Sequence, residues 1–157
     1  MTRPSLLPIE ELAPQIECRE ISPVEVIRDV LDNIERFDGV LATFINVFYD
    51  AAIAEAESAA DEIVRGRYRG PLHGIPIAIK DSIAVAGAPT TNGSKLWADH
   101  VTDFDAAVVE RLRGRGAVVV GKNNMHEWGM GGTCTGMHFG TVRNPWDPNR
   151  IPGGSSG

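Results

Sequence analysis

The chain has 157 residues, 43% of them hydrophobic and 23% charged, and a formal charge of -6 at pH 7. Such a composition belongs to a globular chain long enough to bury a core, and an acidic balance with no basic run argues against nucleic acid as a direct partner. Residues 1–15 lack the apolar centre of a signal peptide and no stretch approaches a membrane span, so no membrane association is expected. Cys18 and Cys134 are isolated thiols outside any CxxC, which fits a reducing compartment, the cytoplasm.

Residues 8–20 predict a short helix disturbed at Pro14. Ser22 is a natural N-cap, Pro23 suits the first helical position, and Glu25 completes an S-x-x-E capping box. Val26, Ile27, Val30, Leu31 and Ile34 then recur at helical spacing, so one face of a helix over 23–36 packs inward. Asp38-Gly39 is expected to turn the chain into a strand at 43–47. The alanine-rich run from Asp50 to Val64 predicts a second long helix, closed by Gly66 and Gly70. Pro71 to Asp81 reads as a loop feeding an apolar strand that ends in a charge pair, and 84–100 as polar loop. Asp103 or Asp105 caps a helix through Arg113, with Ala107, Val108 and Leu112 inward. Gly116 closes it before Ala117-Val118-Val119-Val120, a buried strand of the parallel type. Helix, glycine and apolar strand in that order form the second half of a crossover unit, which makes the chain α/β. A short helical turn at 125–128 leads into glycine-rich residues 129–133. No internal repeat occurs, and no linker is long enough to divide the chain.

Lys80, at the end of the apolar strand, has two readings. Its ammonium stands in water while its stem covers apolar neighbours, or it is a desolvated amine usable as a base, because burial disfavours the charged form. Asp81 opposes neutralisation only if it shares that face, and successive strand residues face opposite sides. Gly116 to Asn123 nearly matches a phosphate-binding GxxxxGK[ST] loop, but Asn123 lacks the magnesium-binding hydroxyl and the intervening residues form a strand. His126-Glu127 begins an HExxH pattern that fails at Met130, and His73, His100 and His138 stand in no ligand spacing, so no metal site is expected. Trp128 and Met130 read as core or pocket wall. The tail, Gly153 to Gly157, taken alone is a flexible glycine-serine linker. The approach to it is stiffer, with X-Pro steps after Asp147 and Ile151 and with Trp146 as an anchor.

Four segments in this order resemble the amidase signature family: Gly74-Ile75-Pro76-Ile77-Ala78-Ile79-Lys80-Asp81, then Val120-Gly121-Lys122-Asn123-Asn124-Met125-His126-Glu127, then Phe139-Gly140 through Asn144-Pro145-Trp146, then Pro152-Gly153-Gly154-Ser155-Ser156-Gly157. The resemblance implies the amidase signature fold, a mixed β-sheet core covered by helices and incomplete at the C-terminus. Residues 1–157 are then the N-terminal part of a single amidase domain, with 1–66 mainly helical and 67–157 the start of the signature core. It implies a Ser–cis-Ser–Lys triad that cleaves a carbon–nitrogen amide bond. In that triad Lys80 is the base and Ser155 the bridging serine with an unusual cis peptide bond. Met130, Gly131 and Ser156 line the substrate pocket. The nucleophilic serine is expected roughly two dozen residues further on, beyond Gly157, so that the chain alone is expected to be inactive. The partner is a small-molecule amide, with no cofactor and no metal, and a homodimer stays open. Two alternatives remain: the A subunit of a tRNA-dependent amidotransferase, in which N-M-D-E is more usual where this chain has Asn124-Met125-His126-Glu127, and a non-catalytic remnant.

Overall fold

A computed structural model describes residues 3–135 and 138–157. The elements are α1 (Ile9–Glu17), α2 (Pro23–Leu41), β1 (Phe44–Val47), α3 (Tyr49–Val64), β2 (Pro76–Lys80), α4 (Ala107–Gly114) and β3 (Val118–Asn123), with 3-10 turns at Pro4–Leu6, Lys95–Trp97 and Glu127–Gly129. The three strands form one sheet in the order β1-β3-β2, the α/β arrangement expected. The chain divides into two compact units. One comprises Met1–Ile34, Phe48–Ile77 and Glu110–Val120, the other Glu35–Val47, Ala78–Val109 and Gly121–Gly157. No helix among the described residues is long and apolar enough to cross a membrane.

The first unit is built on Leu12, Ile16, Val26, Ile63 and Ile75, all buried, with Leu7, Ile21 and Tyr68 packed against them. Leu12 and Ile16 share one face of α1 by their spacing. Pro14 does not end that helix, and the Cys18 N–H still donates to the Pro14 carbonyl at 2.9 Å. The capping box forms: Ser22 Oγ accepts from the Val24 N–H at 3.2 Å, and Glu25 Oε2 accepts from the Ser22 N–H at 2.8 Å. His73 is buried in this unit. Its Nδ1 accepts from the Arg69 N–H at 3.1 Å, and its Nε2 lies 3.3 Å from Glu62 Oε2. Burial, aided by the Arg69 charge, holds the imidazole below its usual pKa, and Glu62 only partly opposes this.

In the second unit β1 runs antiparallel to β3, with Asn46 opposite Lys122, Val47 opposite Gly121 and an irregularity between Phe44 and Asn46. β2 and β3 are parallel. Just before β2 the Val118 N–H donates to Ile75 O at 2.9 Å, and just after it the Asp81 N–H donates to Asn123 O at 3.2 Å. β3 therefore runs on to Asn123, past the Ala117–Val120 strand read from the sequence, and Val118 to Lys122 are all buried. Gly121 permits the close approach of β1: a β-carbon there would lie 2.4 Å from Asn46 O and 3.0 Å from Phe44 Cδ1.

Two local expectations are corrected. α2 runs through Asp38-Gly39 instead of turning there, and the turn falls at Ala42, with φ 52°. The Asp38 carboxylate is used differently: it accepts from the Thr43 N–H at 2.6 Å, from the Thr43 hydroxyl and from the Phe44 N–H at 3.3 Å. In α4 the buried residue is Val109, while Val108 is 48% exposed. Adjacent helical residues point about 100° apart, so only one of the two valines can face inward. The Asp105 carboxylate accepts from the Ala86 N–H at 2.7 Å.

Candidate active site

Lys80 and Ser155 are 75 residues apart in sequence, and their side chains meet: Lys80 Nζ is 2.6 Å from Ser155 Oγ. Both residues are partly buried, both lie in the second unit, and the Gly154–Ser155 peptide is cis. Lys80 is delivered by the C-terminal end of β2. Ser155 is held by the segment that follows β3. The His126 N–H donates to Ser155 O at 3.0 Å, Met125 and Ser156 form an antiparallel bridge, and the Gly157 N–H donates to Asn124 O at 3.0 Å. Gly129 stands beside the pair, since a β-carbon built on it falls 3.8 Å from Ser155 Oγ.

Asn124 organises this segment. Its side-chain NH2 donates to Ala42 O at 2.9 Å, Phe139 O at 3.1 Å and Gly140 O at 3.3 Å, while its Oδ1 accepts from the Met125 N–H at 2.8 Å. Sequence reasoning missed this residue, because nothing about Asn123-Asn124 says which amide will face three carbonyls. It also left Lys122 and Asp81 without roles. Both are buried, with Lys122 Nζ 3.5 Å from Asp81 Oδ1, and Asp81 lies one residue past the end of β2.

The predicted pocket residues are distributed unevenly. Gly131 lies under the His126 ring: a β-carbon there would be 2.3 Å from His126 Cε1. Ser156 is exposed next to Ser155, and Met130 is 84% exposed, so it is not a core residue. Trp128 is half exposed at φ 55°, its ring edge-on to Trp97 at 5.3 Å. Trp146 does not anchor the tail, being 95% exposed. Polar turn contacts do that work instead. Asn144 Oδ1 accepts from the Trp146 N–H at 2.9 Å, and Asp147 accepts from the Asn149 N–H and from Arg150 Nε, each at 3.0 Å.

The Amidase family model matches residues 25–157, and the chain belongs to that family. It is 48% identical over 149 residues to the A subunit of glutamyl-tRNA(Gln) amidotransferase from Aromatoleum aromaticum, covering 95% of this chain and 30% of that protein. The corresponding protein of Acidothermus cellulolyticus is 44% identical over 147 residues, covering 94% and 29%. Among solved structures, the native peptide amidase of Stenotrophomonas maltophilia superposes with a TM-score of 0.88 at 33% identity, covering 97% of this chain and 32% of that one. A chain of a vestigial protein complex, described in connection with the origins of an s-triazine catabolic enzyme, gives 0.92 at 34% identity, covering 96% and 33%. The chain thus spans about a third of the length of the relatives it matches.

Proposed function

We propose that these residues supply the lysine–serine half of an amide-hydrolysing centre, with a small-molecule amide as substrate. The 2.6 Å contact between Lys80 Nζ and Ser155 Oγ carries the reading. Lys80 in its neutral form accepts the Ser155 proton while Ser155 takes the proton of an attacking serine. The alkoxide adds to the amide carbonyl, and the proton returns along the same relay to the leaving amine as the carbon–nitrogen bond breaks. Water then releases the acyl group by the reverse relay. The attacking serine, by family resemblance, lies beyond Gly157.

The test compares residues 1–157 with the protein continued through its next glycine-rich stretch, on simple aliphatic and aromatic amides. The short chain is expected to give no turnover. In the longer one, Lys80→Ala and Ser155→Ala each lower kcat by about 10³-fold or more. Turnover by 1–157 that vanishes in Ser156→Ala but survives in Ser155→Ala would overturn the assignment.

A second reading is favoured by the 48% identity to the A subunit of an amidotransferase. On that reading the same relay frees ammonia from an amide donor and a partner protein consumes it. Co-purification of a second polypeptide with the longer protein separates this from a stand-alone hydrolase.

A further inference from the structure

We propose that Asp81 is a positioning residue for the Lys80–Ser155 pair, with Lys122 as its buried counter-charge. The inference rests on the relay reading above. Asp81 follows Lys80 directly, one residue past the end of β2, and its side chain meets Thr91, Gly93 and Lys122 while that of Lys80 meets Ser155. Its Oδ2 accepts from the Thr91 N–H at 3.0 Å, the Thr91 hydroxyl at 2.6 Å and the Gly93 N–H at 3.3 Å. Its Oδ1 makes no hydrogen bond and faces Lys122 Nζ at 3.5 Å. Lys122 in turn donates to Pro89 O and Thr90 Oγ1, each at 3.1 Å. The two charges therefore grip residues 89–93 from both sides.

That grip reaches Ser155. Asn92, at φ 53°, accepts through its carbonyl from the Trp128 N–H at 2.8 Å. Gly93, at φ 69°, is packed so closely that a β-carbon would lie 2.9 Å from Met125 O. The Met125–Trp128 segment thus rests on the 91–93 turn, and the same segment holds Ser155 and Ser156. Asp81 thereby sets the position of the lysine by adjacency and of the serine through the turn.

A buried ion pair is a poor device for stability alone, since well-packed apolar residues often replace one without loss. Burial pushes the Lys122 pKa down and the Asp81 carboxylate opposes it, so the pair is held against a desolvation cost. Fixing the geometry of a proton relay is a use that apolar residues cannot serve, and a misplacement of about 1 Å can cost on the order of 100-fold in rate.

The experiment uses the full-length protein, with active sites counted by complete labelling with a fluorophosphonate so that kcat is expressed per competent site. Asp81→Ala is expected to lower kcat per site by about 100-fold, with KM changing less than about three-fold. Asp81→Asn keeps an oxygen for the 91–93 turn and should recover at least about ten-fold of that loss. Thr91→Val, which leaves the charge pair intact, should lower kcat by about ten-fold. If Asp81→Asn does not fold, the double variant with Lys122→Met removes the unpaired ammonium and is measured instead. Asp81→Ala with unchanged kcat per site but fewer sites, or with its loss carried by KM, would overturn the proposal. Lys80→Ala and Ser155→Ala run in parallel. Turnover retained in those two defeats the relay reading itself, whereas their inactivity beside a fully active Asp81→Ala defeats only the positioning role.

Discussion

Replacing Gly121 by alanine adds one methyl group where β3 meets β1 closely in the second unit. The new β-carbon would sit 2.4 Å from Asn46 O, 3.0 Å from Phe44 Cδ1 and 3.2 Å from Val47 Cα. The first and last of these are backbone atoms, so no rotamer change relieves the clash and β1 must retreat from β3. Overpacking of this kind costs about 1–3 kcal/mol, and each ladder hydrogen bond weakened at the Val47–Gly121 and Asn46–Lys122 positions adds roughly 0.5–1.5 kcal/mol. The expected loss is therefore roughly 2–4 kcal/mol, a large part of the stability of an ordinary domain. Urea unfolding should show a lower midpoint, and amide exchange should speed up first in residues 44–47. Gly39→Ala is the control: Gly39 is helical, with nothing within 4 Å of an added β-carbon. That change should stabilise by about 0.5–1 kcal/mol. A Gly121→Ala chain with the parent midpoint and unaltered exchange in β1 would refute the steric argument.

Asp38→Ala removes the acceptor for the Thr43 and Phe44 amides and should cost about 1–2 kcal/mol, read as a lower unfolding midpoint with faster exchange at those two amides. His73 makes stability depend on pH. Its folded pKa lies below 6.5, so below that pH the unfolded chain binds the extra proton, and the contribution present above 6.5 is lost as pH falls. Stability should decline by up to about 1.4 kcal/mol per pH unit below 6.5, and His73→Asn should flatten that slope.

The elements were legible where local chemistry agrees with the fold. Ser22-Pro23-x-Glu25 caps α2 as its pattern predicts, and the valines of β3 are buried as a run. Legibility failed where a side chain answers to something distant. Asp38-Gly39 looks like a turn, but Asp38 serves amides five and six residues on and the helix continues through it. Trp146 looks like an anchor, yet the turn around it is closed by Asn144 and Asp147. In the site, Lys80 and Ser155 were found through motif resemblance, because 75 residues of chain separate two groups in contact. The grip of Asp81 and Lys122 on residues 89–93 was invisible, since hydrogen bonds to Pro89 O and the Thr91 N–H depend on loop path and not on residue type.

Asn123 and Asn124 are identical letters with unequal freedom to vary over evolutionary time. The Asn123 amide reaches one carbonyl, Thr43 O, at 3.5 Å, so aspartate or serine there forfeits little. At Asn124 an aspartate of the same size would turn lone pairs toward the three carbonyls that now receive hydrogens. Serine would be too short to span them. Descendants of this chain should therefore drift at 123 and stay fixed at 124, a difference set by where two hydrogens point.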